Sequence, residues 1–226
     1  MRKNYAALAV FGLLSACGGS STDSSISVPT QTPLPSGGPT VAFMGDSITQ
    51  YWGGGAPAYP TLPITTLVPG AIDVGIAGQI TEEMQQRFAT DVLAKNPGIV
   101  VILGGTNDLA KQQAPSTDAI AAMAEAAATA GVHVVIGTVP PSELWLGSTF
   151  LTQAETAPAI EQFNSQLKLL ASAHGYLVAD YYSAMVNSGG SSDQNLFLSD
   201  HIHPNAAGYA VMWSVLRQVL ITFEAH

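Results

Sequence analysis

Val41-Ala42-Phe43-Met44-Gly45-Asp46-Ser47-Ile48-Thr49 is the stretch on which the reading of this chain turns. Val41 to Met44 is a short, uninterrupted apolar run, the pattern of a strand buried on both faces of a parallel sheet. The run stops at Gly45, and Ser47 follows just past its carboxyl end. Open α/β sheets bind ligands along that edge, so a serine there stands where chemistry is done. The same residues also suit a plainer purpose. Gly-Asp-Ser is ordinary turn composition, and either Asp46 or Ser47 makes a good helix cap.

A second stretch, near the other end of the chain, decides between these uses: Ser199-Asp200-His201-Ile202-His203-Pro204. A serine hydroxyl is a poor nucleophile until a histidine takes its proton, and a carboxylate orients that histidine and steadies its charged form. Asp200 and His203 are three residues apart, so one tight turn brings the carboxylate against a ring nitrogen. His201 is adjacent to Asp200, and adjacent side chains point apart, whereas residues three apart in a helical turn are neighbours. His203 is therefore the expected general base, Asp200 its partner and Ser47 the nucleophile. Pro204 restricts His203 to extended backbone.

With both ends in view, the chain resembles the GDSL/SGNH hydrolase superfamily, esterases and lipases whose marker residues lie in four separated blocks. Gly45-Asp46-Ser47-Ile48-Thr49 matches the first block and Gly75-Ile76-Ala77-Gly78-Gln79 the second. Gly105-Thr106-Asn107-Asp108 matches the third and Asp200-His201-Ile202-His203-Pro204 the last. They occur in the family's order, and the similarity runs from Val41 to the C-terminus. Four short matches in order carry far more weight than any one of them. The resemblance implies an oxyanion hole formed by the backbone N–H of Ser47, the backbone N–H of Gly78 and the side-chain amide of Asn107. It also implies the flavodoxin-like strand order. The second block departs from the common pattern, with Asp73 where an asparagine is frequent and Ile80 where a threonine is usual. That puts in question how the loop is anchored, though not the Gly78 N–H itself.

Outward from these motifs, residues 1–17 read as a processing signal. Arg2 and Lys3 precede a short apolar region, Tyr5 to Leu14, shorter than the about 20 residues that span a bilayer. It ends in Leu14-Ser15-Ala16-Cys17, which resembles a bacterial lipobox with cleavage before Cys17 and lipidation of its thiol. An ordinary secretory signal with a chance cysteine is the alternative. Cys17 is the only cysteine, so the mature domain has neither an internal disulfide nor a catalytic thiol. Residues 18–40 are rich in Ser, Thr, Pro and Gly and read as a flexible tether. The expected location is outside the cytoplasm, held by lipid to a bacterial membrane on its periplasmic face or at the cell surface.

Residues 41–226 are enough for one domain with a sizeable core. The chain is 47% hydrophobic and only 10% charged, as buried parallel strands and Ala-rich helices require. Strand-like runs at Val41–Met44, Ala71–Gly75, Ile99–Leu103, Val132–Ile136 and Tyr176–Ala179 alternate with helical patterns. These patterns cover Thr81–Lys95, Thr117–Gly131, Ala157–His174 and Asn205–Phe223, while Tyr51–Pro69 reads as irregular. Such alternation predicts a three-layer α/β/α sandwich around a five-stranded parallel sheet. Seven basic residues against sixteen acidic ones give a net charge of −9, which leaves no patch to hold nucleic acid. Membrane contact is expected only through lipid on Cys17. Neither His133, His174 nor His226 joins a cysteine or carboxylate at metal-ligand spacing, so neither metal nor cofactor is expected.

Two other readings stand beside the esterase. Gly53-Gly54-Gly55 follows the first strand region as in some nucleotide-binding proteins, but G-x-G-x-x-G and a Lys-bearing P-loop are both missing. A surface lipoprotein that merely binds glycan is the other. Within the esterase reading, lysophospholipids and thioesters are alternative substrates. Tyr51 and Trp52, with Pro140-Pro141 and Leu144-Trp145-Leu146 through Phe150, leave carboxyl ends of strands and are expected to wall the site. A small apolar wall without a separate lid predicts a small ester substrate, acetyl to butyryl, such as an acetylated glycan.

Overall fold

The computed structural model describes residues 30–54 and 62–223; the expected signal at residues 1–17 with Cys17, and also Gly55 and His226, lie outside them. Five strands are laid down in chain order: β1 (Val41–Gly45), β2 (Ile72–Gly75), β3 (Ile99–Leu103), β4 (His133–Gly137) and β5 (Leu177–Ala179). All neighbours pair parallel, in the order β2-β1-β3-β4-β5. This is the flavodoxin-like order, whose direction of winding reverses between β1 and β3.

The apolar runs explain why the sheet is sandwiched. Every residue of β1 and β3 is buried. Side chains alternate across a strand, so one run feeds two cores. Ala42, Met44, Val100 and Ile102 face α3 (Thr81–Asp91), α5 (Asp118–Thr129) and α6 (Gln153–His174) through Phe88, Met123 and Phe163. Phe43, Ile99, Val101 and Leu103 pack with Trp52, Tyr181 and Trp213 of α1 (Ser47–Trp52), α7 (Tyr181–Met185) and α8 (Ala206–Leu220).

Several boundaries differ from the sequence expectation. The stretch Tyr51–Pro69 is not wholly irregular: it contains the end of α1 and a single turn, α2 (Ile64–Leu67). Another short helix, α4 (Thr106–Lys111), follows β3. Helices this short are marginal alone and are made by tertiary packing, so periodicity does not announce them. α6 starts at Gln153, ahead of Ala157, because Thr152 caps it. The Glu155 carboxylate accepts from the Thr152 N–H at 3.0 Å and from its hydroxyl at 2.7 Å.

The tether boundary at Thr40 also needs correction. Leu34 N–H donates to the Leu67 carbonyl at 2.8 Å, and the Trp213 indole donates to the Thr32 carbonyl at 3.1 Å. Leu34 also packs on the apolar cluster around Trp213. Polar composition hid one apolar anchor, so the docked chain begins well before Val41.

Candidate active site

The pairing register sets Gly45 level with Gly75 of β2 and Leu103 of β3, so three loops emerge side by side at the reversal point. Ser47 is the first residue of α1 and is buried. The opening helix turn leaves its N–H without an intrahelical acceptor. Asp46 caps the same helix, its Oδ1 accepting from Ile48 N–H at 2.9 Å. Of the two cap candidates, Asp46 thus takes the capping role, and the Ser47 side chain does not.

The Asp200–Pro204 loop reaches Ser47 from the far end of the chain. Ser47 Oγ lies 2.8 Å from His203 Nε2, and His203 Nδ1 lies 2.7 Å from Asp200 Oδ2. Asp200 Oδ1 accepts the N–H groups of Ile202 and His203 at 2.9 and 3.0 Å, which folds the loop into a compact turn. Burial raises the Asp200 pKa, but these backbone bonds and His203 outweigh it and leave the pKa below the ordinary value. His201 is turned away, as the spacing argument requires. It has a left-handed backbone, φ 60°, and its Nδ1 meets Gln194 Oε1 at 2.6 Å with Glu143 at 3.4 Å. The loop after β4 supports the turn, with Glu143 N–H donating to the His201 carbonyl and Ser142 Oγ to the Ile202 carbonyl.

Opposite the histidine stand the loop after β2 and the start of α4. Gly78 has φ 79°, a left-handed conformation that glycine adopts without penalty. Asn107 Nδ2 donates to the Gln79 carbonyl at 3.1 Å and lies 3.4 Å from Asp46 Oδ2. The unusual residues of this block have definite partners. Asp73 Oδ1 accepts Gly75 N–H at 2.8 Å, and Ile80 N–H donates to Glu83 at the start of α3.

Two buried carboxyls brace the site. Asp108 accepts from the Thr81 N–H and hydroxyl, tying α4 to α3. Asp46 is fully enclosed, and burial pushes its carboxyl up to about 6 against the opposing pull of the Ile48 N–H and His203. Asp108 was not singled out from sequence and Asp46 only as a possible helix cap, since a buried acid carries no signal apart from the motif around it.

A cleft of about 260 Å³ joins these parts, walled by Ser47, Gly78, Asn107 and His203 with Tyr51, Leu144 and Ile202. The Tyr51 ring lies 5.1 Å from that of His203. Trp52, expected beside it, is a core residue: it is buried against Phe43, Tyr181 and Tyr209. Ser47 and Tyr51 share one face of α1, while Ile48 and Trp52, about a quarter turn further round, share the face turned into the core. Trp145 does not wall the cleft either. It lines a separate cavity of about 160 Å³ with Pro141, Gln153 and Tyr182, while its neighbours Leu144 and Gly147 reach the cleft. Ala110, Lys111 and Ile202 were missed as cleft residues; for Lys111 the one-turn spacing from Asn107 was the available signal.

Residues 43–211 match the GDSL-like lipase/acylhydrolase family. No curated protein matches the chain. Among solved structures, a GDSL-like lipase from Bacteroides thetaiotaomicron shares 28% identity, with 81% of this chain and 88% of that one covered and a TM-score of 0.70. A lipase/acylhydrolase from Enterococcus faecalis shares 21% identity over 80% of this chain and 94% of the other, with a TM-score of 0.63. An acetylxylan esterase from Geobacillus stearothermophilus shares the fold at 17% identity, covering 84% and 95%, with a TM-score of 0.62.

Proposed function

The chain belongs to the GDSL-like lipase/acylhydrolase family and is a carboxylic ester hydrolase, and from that premise we propose that Ser47, His203 and Asp200 carry the hydrolysis of short-acyl esters. One observation carries this reading: the unbroken relay from Ser47 Oγ to His203 Nε2 and from His203 Nδ1 to Asp200 Oδ2. His203 takes the hydroxyl proton as Ser47 Oγ bonds to the ester carbonyl carbon. The oxyanion that forms is met by the N–H groups of Ser47 and Gly78 and by the Asn107 amide. As the tetrahedral intermediate collapses, His203 returns the proton to the departing alcohol. Water, activated by the same histidine, then releases the acid and restores the serine. Asp200 stays ionised throughout and steadies the imidazolium.

The short-acyl preference is supported by the size and walls of the cleft. Its volume of about 260 Å³ is shared between acyl and alcohol parts, below the 300–1,000 Å³ that is typical of ligand pockets. Tyr51, Leu144 and Ile202 offer a small apolar surface. A long chain would leave methylenes in water, forgoing about 0.8 kcal/mol for each one. Acetylated glycans and other small exported esters fit this reading, and lipid on Cys17 would hold the enzyme where such esters occur.

The relay is tested with Ser47→Ala, which should retain the wild-type circular dichroism and melting temperature but lose activity by on the order of 10⁴-fold or more. Acyl preference is tested by kcat/KM for p-nitrophenyl esters from acetate to palmitate. The expected profile falls beyond butyrate. A steady rise past octanoate would contradict the short-acyl assignment.

A further inference from the structure

The loop that presents Gly78 has little packing to hold it. Ile76, Ala77 and Gly78 are all exposed. Around Gly78 itself, only Lys111 Nζ comes within 4.0 Å of where a Cβ would stand. A donor aimed at a developing oxyanion must nevertheless be fixed in advance, because the gain comes from dipoles that need no reorganisation. The loop's orientation therefore depends on polar ties. On one side Ile76 N–H donates to the Gly45 carbonyl at 3.0 Å and Ala77 N–H to Gln50 Oε1 at 2.8 Å. Arg87 donates to Gln79 Oε1 at 2.7 Å from α3.

The remaining ties come from α4. Asn107 and Lys111 are one helical turn apart and point the same way. Asn107 Nδ2 donates to the Gln79 carbonyl, and Lys111 Nζ donates to the preceding carbonyl, that of Gly78, at 2.5 Å. The short helix thus grips two consecutive carbonyls of the loop, and the second grip is an ionised donor, roughly twice as strong as a neutral one. Among the described residues, no acidic side chain pairs with this ammonium, and it donates to the Gly78 carbonyl.

We infer that Lys111 is a positioning residue for the oxyanion hole: by gripping the carbonyl of the Gly78–Gln79 peptide it holds Gly78 in its left-handed conformation, so that the N–H on the other side of the Gly78 Cα points toward the carbonyl attacked by Ser47. This rests on the Ser47, Gly78 and Asn107 reading given above. Lys111 touches no reacting atom and acts through Gly78. Because the Gly78 N–H matters most when negative charge has developed, losing its alignment lowers kcat and leaves KM nearly unchanged.

The test compares wild type, Lys111→Met, Lys111→Arg and Ser47→Ala on p-nitrophenyl acetate, with kcat, KM and melting temperature measured for each. Removing a whole oxyanion donor costs on the order of 100- to 1,000-fold, so a donor that is only misaimed should cost about tenfold in kcat. Lys111→Met is expected to show that loss with KM within about twofold and an unchanged melting temperature, and Lys111→Arg to recover most of kcat. Three results would overturn the inference: wild-type kcat in Lys111→Met, a change confined to KM, or a loss in Lys111→Arg as large as in Lys111→Met. Ser47→Ala separates the two levels. If it stays active, the underlying reading fails; if it is inactive while Lys111→Met behaves as wild type, only the role of Lys111 fails.

Discussion

Asp46 sits between two demands that meet in a single side chain. Its Oδ1 caps α1, and its Oδ2 faces the Asn107 amide beside Ser47. An enclosed carboxyl is stabilised in its neutral form, so burial raises its pKa from 3.8 to about 6. The sign of the stability effect follows directly. Between these values the folded protein holds a proton that the unfolded chain has lost, so the contribution of Asp46 to stability falls as pH rises through the window. Asp46→Asn keeps a capping oxygen and removes the titration. The unfolding free energy of wild type relative to Asp46→Asn should fall by about 3 kcal/mol between pH 3 and pH 7. Chemical denaturation of both proteins across that range measures it, and a pH-independent difference would rule the titration out. Asp200 has the opposite sign. Its pKa is lowered, so its contribution is lost as the medium is acidified.

Among the elements, the long apolar strands were legible and the short helices were not. β1 and β3 are unbroken apolar runs that only a doubly covered strand explains, whereas α1, α4 and α7 draw their stability from what they pack on. The misassignment of Trp52 follows from this. Without α1 as a helix, Tyr51 and Trp52 look equivalent, yet the helix sends one to the cleft and the other to the core. Trp145 failed for a related reason: the chain after β4 turns through a single 3₁₀ turn, Leu144–Leu146, and no periodic pattern tells which of its apolar residues looks inward. The meeting of Ser47, Asp200 and His203 was readable because the chemistry proposed for them constrains residue type and spacing rather than packing. α8 supplies a test at this scale. A Cβ on Gly208 would stand 2.2 Å from the Leu196 carbonyl oxygen, a backbone atom that cannot swing aside. Gly208→Ala should therefore destabilise the protein by about 1–3 kcal/mol. It should also lower kcat, because Asn205, which opens α8, bonds back to Leu196 and Phe197 just before the Asp200 turn. Thermal denaturation and ester kinetics on one preparation check both effects, and a variant unchanged in both would show that the contact is readily relieved.

The whole molecule is a hydrolase domain with a proposed anchor at Cys17. The proposed leader and lipobox rest on composition and a short motif alone, and they lie outside the described residues. The docking of Leu34 and Thr32 was not legible at all, since one leucine in a Ser/Thr/Pro-rich stretch leaves no periodic trace. If Cys17 carries lipid, Cys17→Ser should move the enzyme from the membrane fraction or leave it uncleaved. A wild-type protein found wholly in the soluble fraction, without acyl mass on its mature N-terminus, would remove the anchor from the account. The central claim is that Ser47 is a nucleophile driven by His203 and Asp200, and covalent titration with a fluorophosphonate ester tests it most directly. One phosphonyl group per chain is expected, mapped by mass spectrometry to the peptide containing Ser47. Labelling should be absent in Ser47→Ala and much slower in His203→Ala. Labelling at another residue, or full ester hydrolysis by a preparation in which Ser47 is wholly phosphonylated, would contradict it.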